Sequence, residues 1–265
     1  MISTACERNP DDFLLVGGDV SFCFDVAKIF YKELCKYWNP KNIVAILGNH
    51  ELWDFNRFAQ KTTDNSVEHT IEKYRELFSS LRIWFLQNEV LVYDRFASSI
   101  LSEEDILNKS IDDLRAVTSN SNLIIFGGIG FSAYNTEFNA TIGIYRNAIT
   151  SLQCELQYTQ QSETVYNKLQ DALSKNKLIV LSHMPPQDWS KRALVPNWIY
   201  VNGHTHRNRY VQSNECTVYA DNQVGYKPRC IGLYPPYEYK QLSRRFVVFG
   251  LLIRDTSAKK HPKLM

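Results

Sequence analysis

Short runs of consecutive apolar residues recur along the chain, and a polar turn follows each of them. The runs cover residues 13–16, 43–47, 123–126, 178–181 and 198–201. Apolar runs of this length, rich in β-branched side chains, are typical of strands buried on both faces. Between the first two runs, apolar residues recur at helical spacing over 26–38 and stop at Asn39-Pro40. Strand, helix and strand without a hairpin turn predict a βαβ unit with parallel strands.

The remaining pattern predicts further elements of an α/β domain. Helical spacing covers 71–81 and 103–114, short strands are indicated at 83–85 and 90–93, and a long polar helix is indicated at 152–173. We expect that long helix to face solvent, as part of a surface insertion around residues 131–175. Strand-like runs from 217 to 255 suggest an antiparallel meander. The sequence thus predicts one domain over 1–255 and a polar tail over 256–265.

Composition narrows the classes of protein that fit this pattern. The chain has 265 residues, of which 44% are hydrophobic and 22% charged, enough for one sizeable core. A net charge of +2 gives no indication of nucleic acid or of a membrane surface as partner. The six cysteines show no CxxC spacing, which favours free thiols in a reducing compartment. We therefore expect a cytoplasmic protein without membrane contact, and the sequence leaves its oligomeric state open.

Polar side chains able to bind metal follow the predicted strands at the points where these strands end. They are Asp19, Asn49, His50, His183, His204 and His206. The carboxyl ends of parallel strands meet at one edge of a sheet, where open α/β folds place their active sites. In extended chain, residues two apart point the same way, so His204 and His206 can both reach one centre.

A metal site explains this placement better than chance does. A single histidine after a strand is more often a structural residue, but four of the six histidines occupy such positions. Carboxylate, amide and imidazole ligands without cysteine suit borderline divalent ions such as Mn, Fe, Zn or Ni. The glycine-rich turn at 127–130 lacks the GxGxxG and Walker patterns, so it is a tight turn or a loop. Asn135 and Arg146 beyond it are candidate substrate-binding residues.

The motifs together resemble those of the calcineurin-like metallophosphoesterase superfamily. The matching segments are Gly18-Asp19, Gly48-Asn49-His50-Glu51, His183 and Gly203-His204-Thr205-His206. The resemblance implies a four-layer αββα sandwich of two mixed β-sheets, with two divalent metal ions at their edge. By this resemblance Asp19 would bridge the two ions. The first ion would be completed by Asn49, His183 and His204. His206 would bind the second ion, and His50 would protonate the leaving oxygen or bind the phosphate.

One departure from the superfamily concerns the beginning of the chain. The superfamily opens with a strand that ends in Asp-x-His, whereas this chain has no histidine before His50. We therefore expect the first strand and helix of the fold to be missing, which would leave backbone unpaired in one sheet. The second ion would have only Asp19 and His206, so we expect about one bound ion and impaired activity.

The resemblance implies a metal-dependent phosphoesterase that hydrolyses phosphomonoester or phosphodiester bonds. Two metal ions about 3.5–4 Å apart can activate a water molecule and clamp the phosphoryl oxygens. A phosphorylated small molecule or a nucleotide is the expected substrate. The alternative is a non-catalytic binding or scaffold protein that retains the phosphoesterase fold.

Overall fold

The structure is a computed structural model that describes residues 13–55, 66–94, 96–135, 144–205, 209–212, 217–220 and 246–249. Two single 3-10 turns, Pro40–Asn42 and Glu51–Trp53, flank the second strand. The helices and strands are, in chain order, β1 (Phe13–Val16), α1 (Phe24–Leu34), β2 (Ile43–Ala45), α2 (Val67–Leu81), β3 (Trp84–Phe85), β4 (Glu89–Tyr93), β5 (Ser99–Leu101), α3 (Glu103–Asn108), α4 (Ile111–Thr118), β6 (Leu123–Gly128), α5 (Leu152–Leu173), β7 (Ile179–Ser182), α6 (Pro186–Trp189), β8 (Ile199–Asn202), β9 (Arg209–Gln212), β10 (Thr217–Ala220) and β11 (Phe246–Phe249).

These strands form two sheets, as the predicted α/β fold class requires. The smaller sheet has the order β11-β1-β2-β3 and the larger has the order β5-β4-β6-β7-β8-β10-β9. β1 and β2 are parallel, with Leu14 opposite Ile43, which confirms the predicted βαβ unit. The larger sheet is mixed, but the described strands of the smaller sheet are all parallel, which differs from the expected pair of mixed sheets.

Alternate residues of the strands belong to two different cores, one between the sheets and one between the sheets and the helices. Phe13 and Leu15 of β1 belong to a buried cluster with Leu91 of β4 and Leu181 of β7, and this cluster lies between the sheets. Leu14 and Val16 belong to the second cluster, which includes the buried faces of the helices. Because successive strand residues point to opposite faces, the two clusters define four layers in the order αββα.

Helix α5 is not the solvent-facing helix that its polar composition suggested. It connects the parallel strands β6 and β7, and it buries Val165, Tyr166 and Leu169 completely. The Tyr166 hydroxyl lies 2.9 Å from the Tyr200 hydroxyl on β8, so the helix packs on the larger sheet. The expected solvent-facing orientation is therefore wrong. The predicted domain limits, including the insertion around residues 131–175, stay predictions.

The helix expected over 103–114 is two helices. Ser110 caps α4 by accepting a hydrogen bond from the backbone N–H of Asp113, whose carboxylate accepts from the Ser110 backbone N–H in return. Ser102 and Asp105 do the same at the start of α3. Ser110 thus begins a new helix where the apolar spacing alone suggested continuity. None of the described helices combines the length and apolar character needed to cross a bilayer.

The last strand corrects two expectations at once. β11 pairs in parallel with β1 from Phe13↔Phe246 to Val16↔Phe249, while β2 pairs with the other edge of β1. The expectation of unpaired backbone in this sheet is therefore wrong for β1. β10 pairs antiparallel with β9 and parallel with β8, in the other sheet from β11. Among the described residues, β10 and β11 accordingly do not belong to one antiparallel meander.

The core between the sheets predicts a clear stability difference between two leucines. Leu91→Ala removes a fully buried side chain from this core and should lower the free energy of unfolding by roughly 2–5 kcal/mol. The matched change Leu152→Ala removes a side chain that is 56% exposed. It should change the free energy of unfolding by no more than about 0.5 kcal/mol. Urea unfolding followed by circular dichroism measures both, and equal losses would contradict the assignment of this core.

Candidate metal centre

Four strand ends bring the predicted metal-binding side chains to one place. Asp19 follows β1, Asn49 follows β2, His183 follows β7 and His204 follows β8. The ligand atoms of Asp19, His183 and His204 all lie within 4.8 Å of one another. The facing sheets therefore gather at their carboxyl edge the side chains that the sequence predicted to meet there.

The donor atoms have the spacing of ligands that share an ion. The Asn49 Oδ1 atom lies 3.0 Å from His183 Nε2 and 2.9 Å from His204 Nδ1. The Asp19 Oδ2 atom lies 3.3 Å from His183 Nε2. Two donors that are each about 2.1 Å from one divalent ion are separated by roughly 3 Å when they bind at right angles. The set therefore fits a divalent cation in size.

Hydrogen bonds on the outer side orient two of these donors. Asn49 donates from Nδ2 to the Ile144 carbonyl at 2.9 Å, so its Oδ1 faces the centre. The Nδ1 atom of His183 lies 2.7 Å from the Gly17 carbonyl oxygen, which can only accept. This nitrogen therefore carries the proton, and in the neutral ring Nε2 presents a lone pair to the centre. In that form the Nε2 lone pair of His183 and the Oδ1 lone pairs of Asn49 face one point, as binding of a cation requires.

The charges at the centre favour an ionised Asp19. Burial by itself would raise the pKa of Asp19, but His183 and His50 outweigh it and hold that pKa well below its usual range. Burial alone would lower the pKa of His183, but the charge of Asp19 and the hydrogen bonds to Asp19 and Gly17 together outweigh it and raise that pKa. Asp19 is thus a carboxylate throughout the neutral range, the form that binds a cation.

The backbone between β1 and Asp19 turns tightly against the end of β2. Gly18 has φ +83°, and a Cβ on it would lie 2.3 Å from the Gly48 backbone nitrogen. A Cβ on Gly48 would in turn lie 2.2 Å from Asp19 Oδ1. Asp19 and His204 have φ 58° and 70°, a left-handed conformation that is uncommon for residues other than glycine. Two of the four donor residues are therefore held in strained backbone, as is frequent at functional sites.

Glu51 is a site residue to which the sequence assigned no role. Its carboxylate is buried and accepts four backbone N–H groups, at distances between 2.7 and 3.3 Å. The donors are Asp19, Val20, Ser21 and Gly48. Burial raises the pKa of Glu51 to about 7, and the neighbouring charge of Asp19 adds to this rise. The position of Glu51 directly after Gly48-Asn49-His50 was the one sequence signal for a role at the site. Its hydrogen-bond partners could not be predicted, because three of the four are 30 or more residues away along the chain.

His50 lies beside the four donors. Its backbone N–H donates to Asp19 Oδ1 at 2.9 Å, and its Nε2 atom is 3.8 Å from Asp19 Oδ2. The imidazole packs on the indole of Trp53, with ring centroids 4.0 Å apart. The ring is therefore next to the centre while its backbone helps to hold Asp19.

The other predicted residues have different positions. The guanidinium carbon of Arg146 lies 3.9 Å from the centroid of the Trp53 ring, which places Arg146 near His50. The amide of Asn135 donates to Asp188 Oδ1 at 2.9 Å, so the structure places it against the segment that begins α6. His206 lies outside the described residues.

Comparison with known proteins supports the resemblance seen in the motifs. A family model described as calcineurin-like phosphoesterase matches residues 2–208. The chain belongs to this family. The match spans all the predicted metal-binding residues of this calcineurin-like phosphoesterase, from Asp19 to His206.

A solved structure shares the fold of this calcineurin-like phosphoesterase. It is the phosphopantetheinyl hydrolase PptH from Mycobacterium tuberculosis, with a TM-score of 0.53 and 14% sequence identity over 83% of this chain and 81% of that one. At this level of identity the likeness concerns the fold alone. No curated protein sequence is significantly similar to the chain.

The close approach at Gly48 predicts opposite results for two neighbouring Gly→Ala changes. Gly48→Ala places a methyl group 2.2 Å from Asp19 Oδ1 and 2.7 Å from His183 Cε1, so it should weaken Mn²⁺ binding at least about tenfold. Gly17→Ala meets nothing within 4 Å and should leave binding unchanged. Titration calorimetry with Mn²⁺ measures both variants, and normal affinity in Gly48→Ala would contradict the described contact.

Proposed function

We propose that this chain is a metal-dependent phosphoesterase that hydrolyses a phosphomonoester or phosphodiester bond of a phosphorylated small molecule or nucleotide. The observation that carries the proposal is the convergence of the donor atoms of Asn49, His183 and His204 near ionised Asp19, directly beside His50. Family membership supplies the reaction class, and the donor set supports the metal dependence.

In this proposal the four donors hold one divalent ion. As the resemblance implies, Asp19 would also bind a second ion, to which His206 would contribute. A bound divalent ion polarises the phosphoryl oxygens and provides a nucleophilic water at neutral pH. Asn49 and His183 need no rearrangement to bind, because Ile144 and Gly17 already fix their outer atoms. Preorganised donors of this kind lose little energy to reorganisation during the reaction.

The role proposed for His50 is that of the acid that donates a proton to the leaving oxygen. A hydrolysed ester releases an alkoxide, which needs a proton unless the leaving group is already weakly basic. The His50 ring is next to Asp19, and its backbone N–H donates to that carboxylate. Trp53 fixes the plane of the ring by stacking, so the imidazole can present one nitrogen to the substrate.

The metal assignment predicts a strong effect of His183→Ala on metal content. The wild-type chain should retain at least one ion per molecule after gel filtration, because Asp19, Asn49, His183 and His204 offer four donors to one position. His183→Ala should lose most of that ion. His69→Ala at the start of α2 removes an exposed histidine and should lose none. Elemental analysis measures the stoichiometry, and unchanged content in His183→Ala would reject its role.

The acid role of His50 predicts a leaving-group dependence. His50→Ala should keep its ion but lower kcat by about 10²–10⁴-fold for alkyl phosphates, whose leaving group needs protonation. The loss should be much smaller for 4-nitrophenyl phosphate, which needs little protonation. Steady-state kinetics on both esters, together with metal analysis, measures these changes in kcat and in metal content.

Equal losses of kcat on both esters, together with loss of the metal, would make His50 a structural residue. A wild-type chain that binds the ion and hydrolyses neither ester would be a non-catalytic binding protein.

A further inference from the structure

Trp53 is stacked between His50 and Arg146. The His50 ring centroid is 4.0 Å from that of Trp53, and the Arg146 guanidinium carbon is 3.9 Å from the same ring. Two planar groups this close to one ring centre would collide if they shared a face, so they cover opposite faces. The 4.0 Å and 3.9 Å spacings together place the guanidinium carbon within about 8 Å of the imidazole centre.

Hydrogen bonds fix this stack relative to the donor set. Trp53 donates from Nε1 to the Ile144 carbonyl at 2.6 Å, and Asn49 donates to the same oxygen at 2.9 Å. Asn147 donates from its side chain to the Trp53 carbonyl. The segment that carries Arg146 is therefore tied both to a donor residue and to the aromatic ring on which the guanidinium lies.

Arg146 is available to bind an anion from solvent. It is exposed, and its contacts are with the aromatic faces of Trp53 and Phe55. Among the described carboxylates, none forms an ion pair with it. A guanidinium stacked on a ring keeps its N–H edges free, and these edges match a phosphate with two parallel hydrogen bonds.

We propose that Arg146, supported on Trp53, binds a second phosphate of the substrate. The inference rests on the proposed function, in which His50 protonates the leaving oxygen. Arg146 lies within about 8 Å of the His50 ring, which contacts the leaving oxygen in that function, so the group that Arg146 binds belongs to the leaving part of the molecule. The substrate class is therefore a phosphate ester or anhydride whose leaving group carries its own phosphate close to the bond that is cleaved.

The competing explanation is that Arg146 only shields Trp53 from water. Long basic side chains commonly cover apolar surface with their methylene stems. Arg146→Met separates the two roles, since it keeps an unbranched apolar side chain on the indole but removes every N–H donor. Arg82→Met is the matched control, because Arg82 is also exposed and also has a positive φ, at 62° against 41° for Arg146, but lies at the end of α2.

The test is calorimetric titration of the Mn²⁺-loaded chain with two probes that cannot be hydrolysed, methylphosphonate and methylenediphosphonate. The same Mn²⁺ concentration in cell and syringe, and titration into protein-free buffer, correct for chelation by the probe. We expect wild type and Arg82→Met to bind the diphosphonate at least about tenfold more tightly than Arg146→Met does. Methylphosphonate should bind all three proteins within about twofold of one another.

The outcomes separate the two proposals. Equal diphosphonate affinity in Arg146→Met and wild type overturns the second-phosphate subsite while methylphosphonate binding still supports the phosphoesterase. Weakened binding of both probes in Arg146→Met also overturns it, because the change would then act on the whole site. A wild-type chain that binds neither probe overturns the phosphate site and the subsite together. Preferential loss of the diphosphonate supports the subsite even in a chain that hydrolyses no ester.

Discussion

The hydrogen bonds accepted by the Glu51 carboxylate are the interactions on which the candidate metal centre depends. The chain ends β1 with a left-handed turn at Gly18 and Asp19, which removes the backbone N–H groups of residues 19–21 from any strand or helix. Buried N–H groups without acceptors are costly, and one side chain from the turn after β2 supplies acceptors for all three and for Gly48 as well. Glu51 thereby fixes the two strand ends that carry Asp19 and Asn49 relative to each other.

This arrangement brings two buried carboxylates, Asp19 and Glu51, close together, and their charge favours a cation at the site. Burial disfavours the ionisation of both Asp19 and Glu51, and the charge of Asp19 raises the pKa of Glu51 further. His183 and His50 offset it at Asp19. A divalent cation among the donors would offset it further, because it stabilises both carboxylates at once. The carboxylates of Asp19 and Glu51 thus favour a cation at the point where the donor atoms of Asn49, His183 and His204 converge.

The sequence allowed the local features to be predicted but not the long-range ones. Apolar runs that end in Asp19, Asn49 and His183 carry their own signal, because strand burial and ligand position are both set within a few residues. The buried side of α5 was missed because its polar atoms have distant partners, as when the Ser132 hydroxyl donates to Glu155. The pairing of β11 with β1 and the roles of Glu51 and Trp53 likewise depend on residues far away in the chain.

The proposed metal site and the proposed Arg146 subsite draw on different parts of this fold, and the Ile144 carbonyl joins them. The donors stand at strand ends, where pairing within the sheets fixes their positions. Trp53 and Arg146 stand on connecting segments, which tolerate change more readily than strands do. Because Asn49 and Trp53 donate to the same carbonyl oxygen, a shift of the segment that carries Arg146 also acts on a metal donor. Substitution of the Arg146 side chain leaves that carbonyl in place. Specificity can therefore change at this position while the donor geometry is retained.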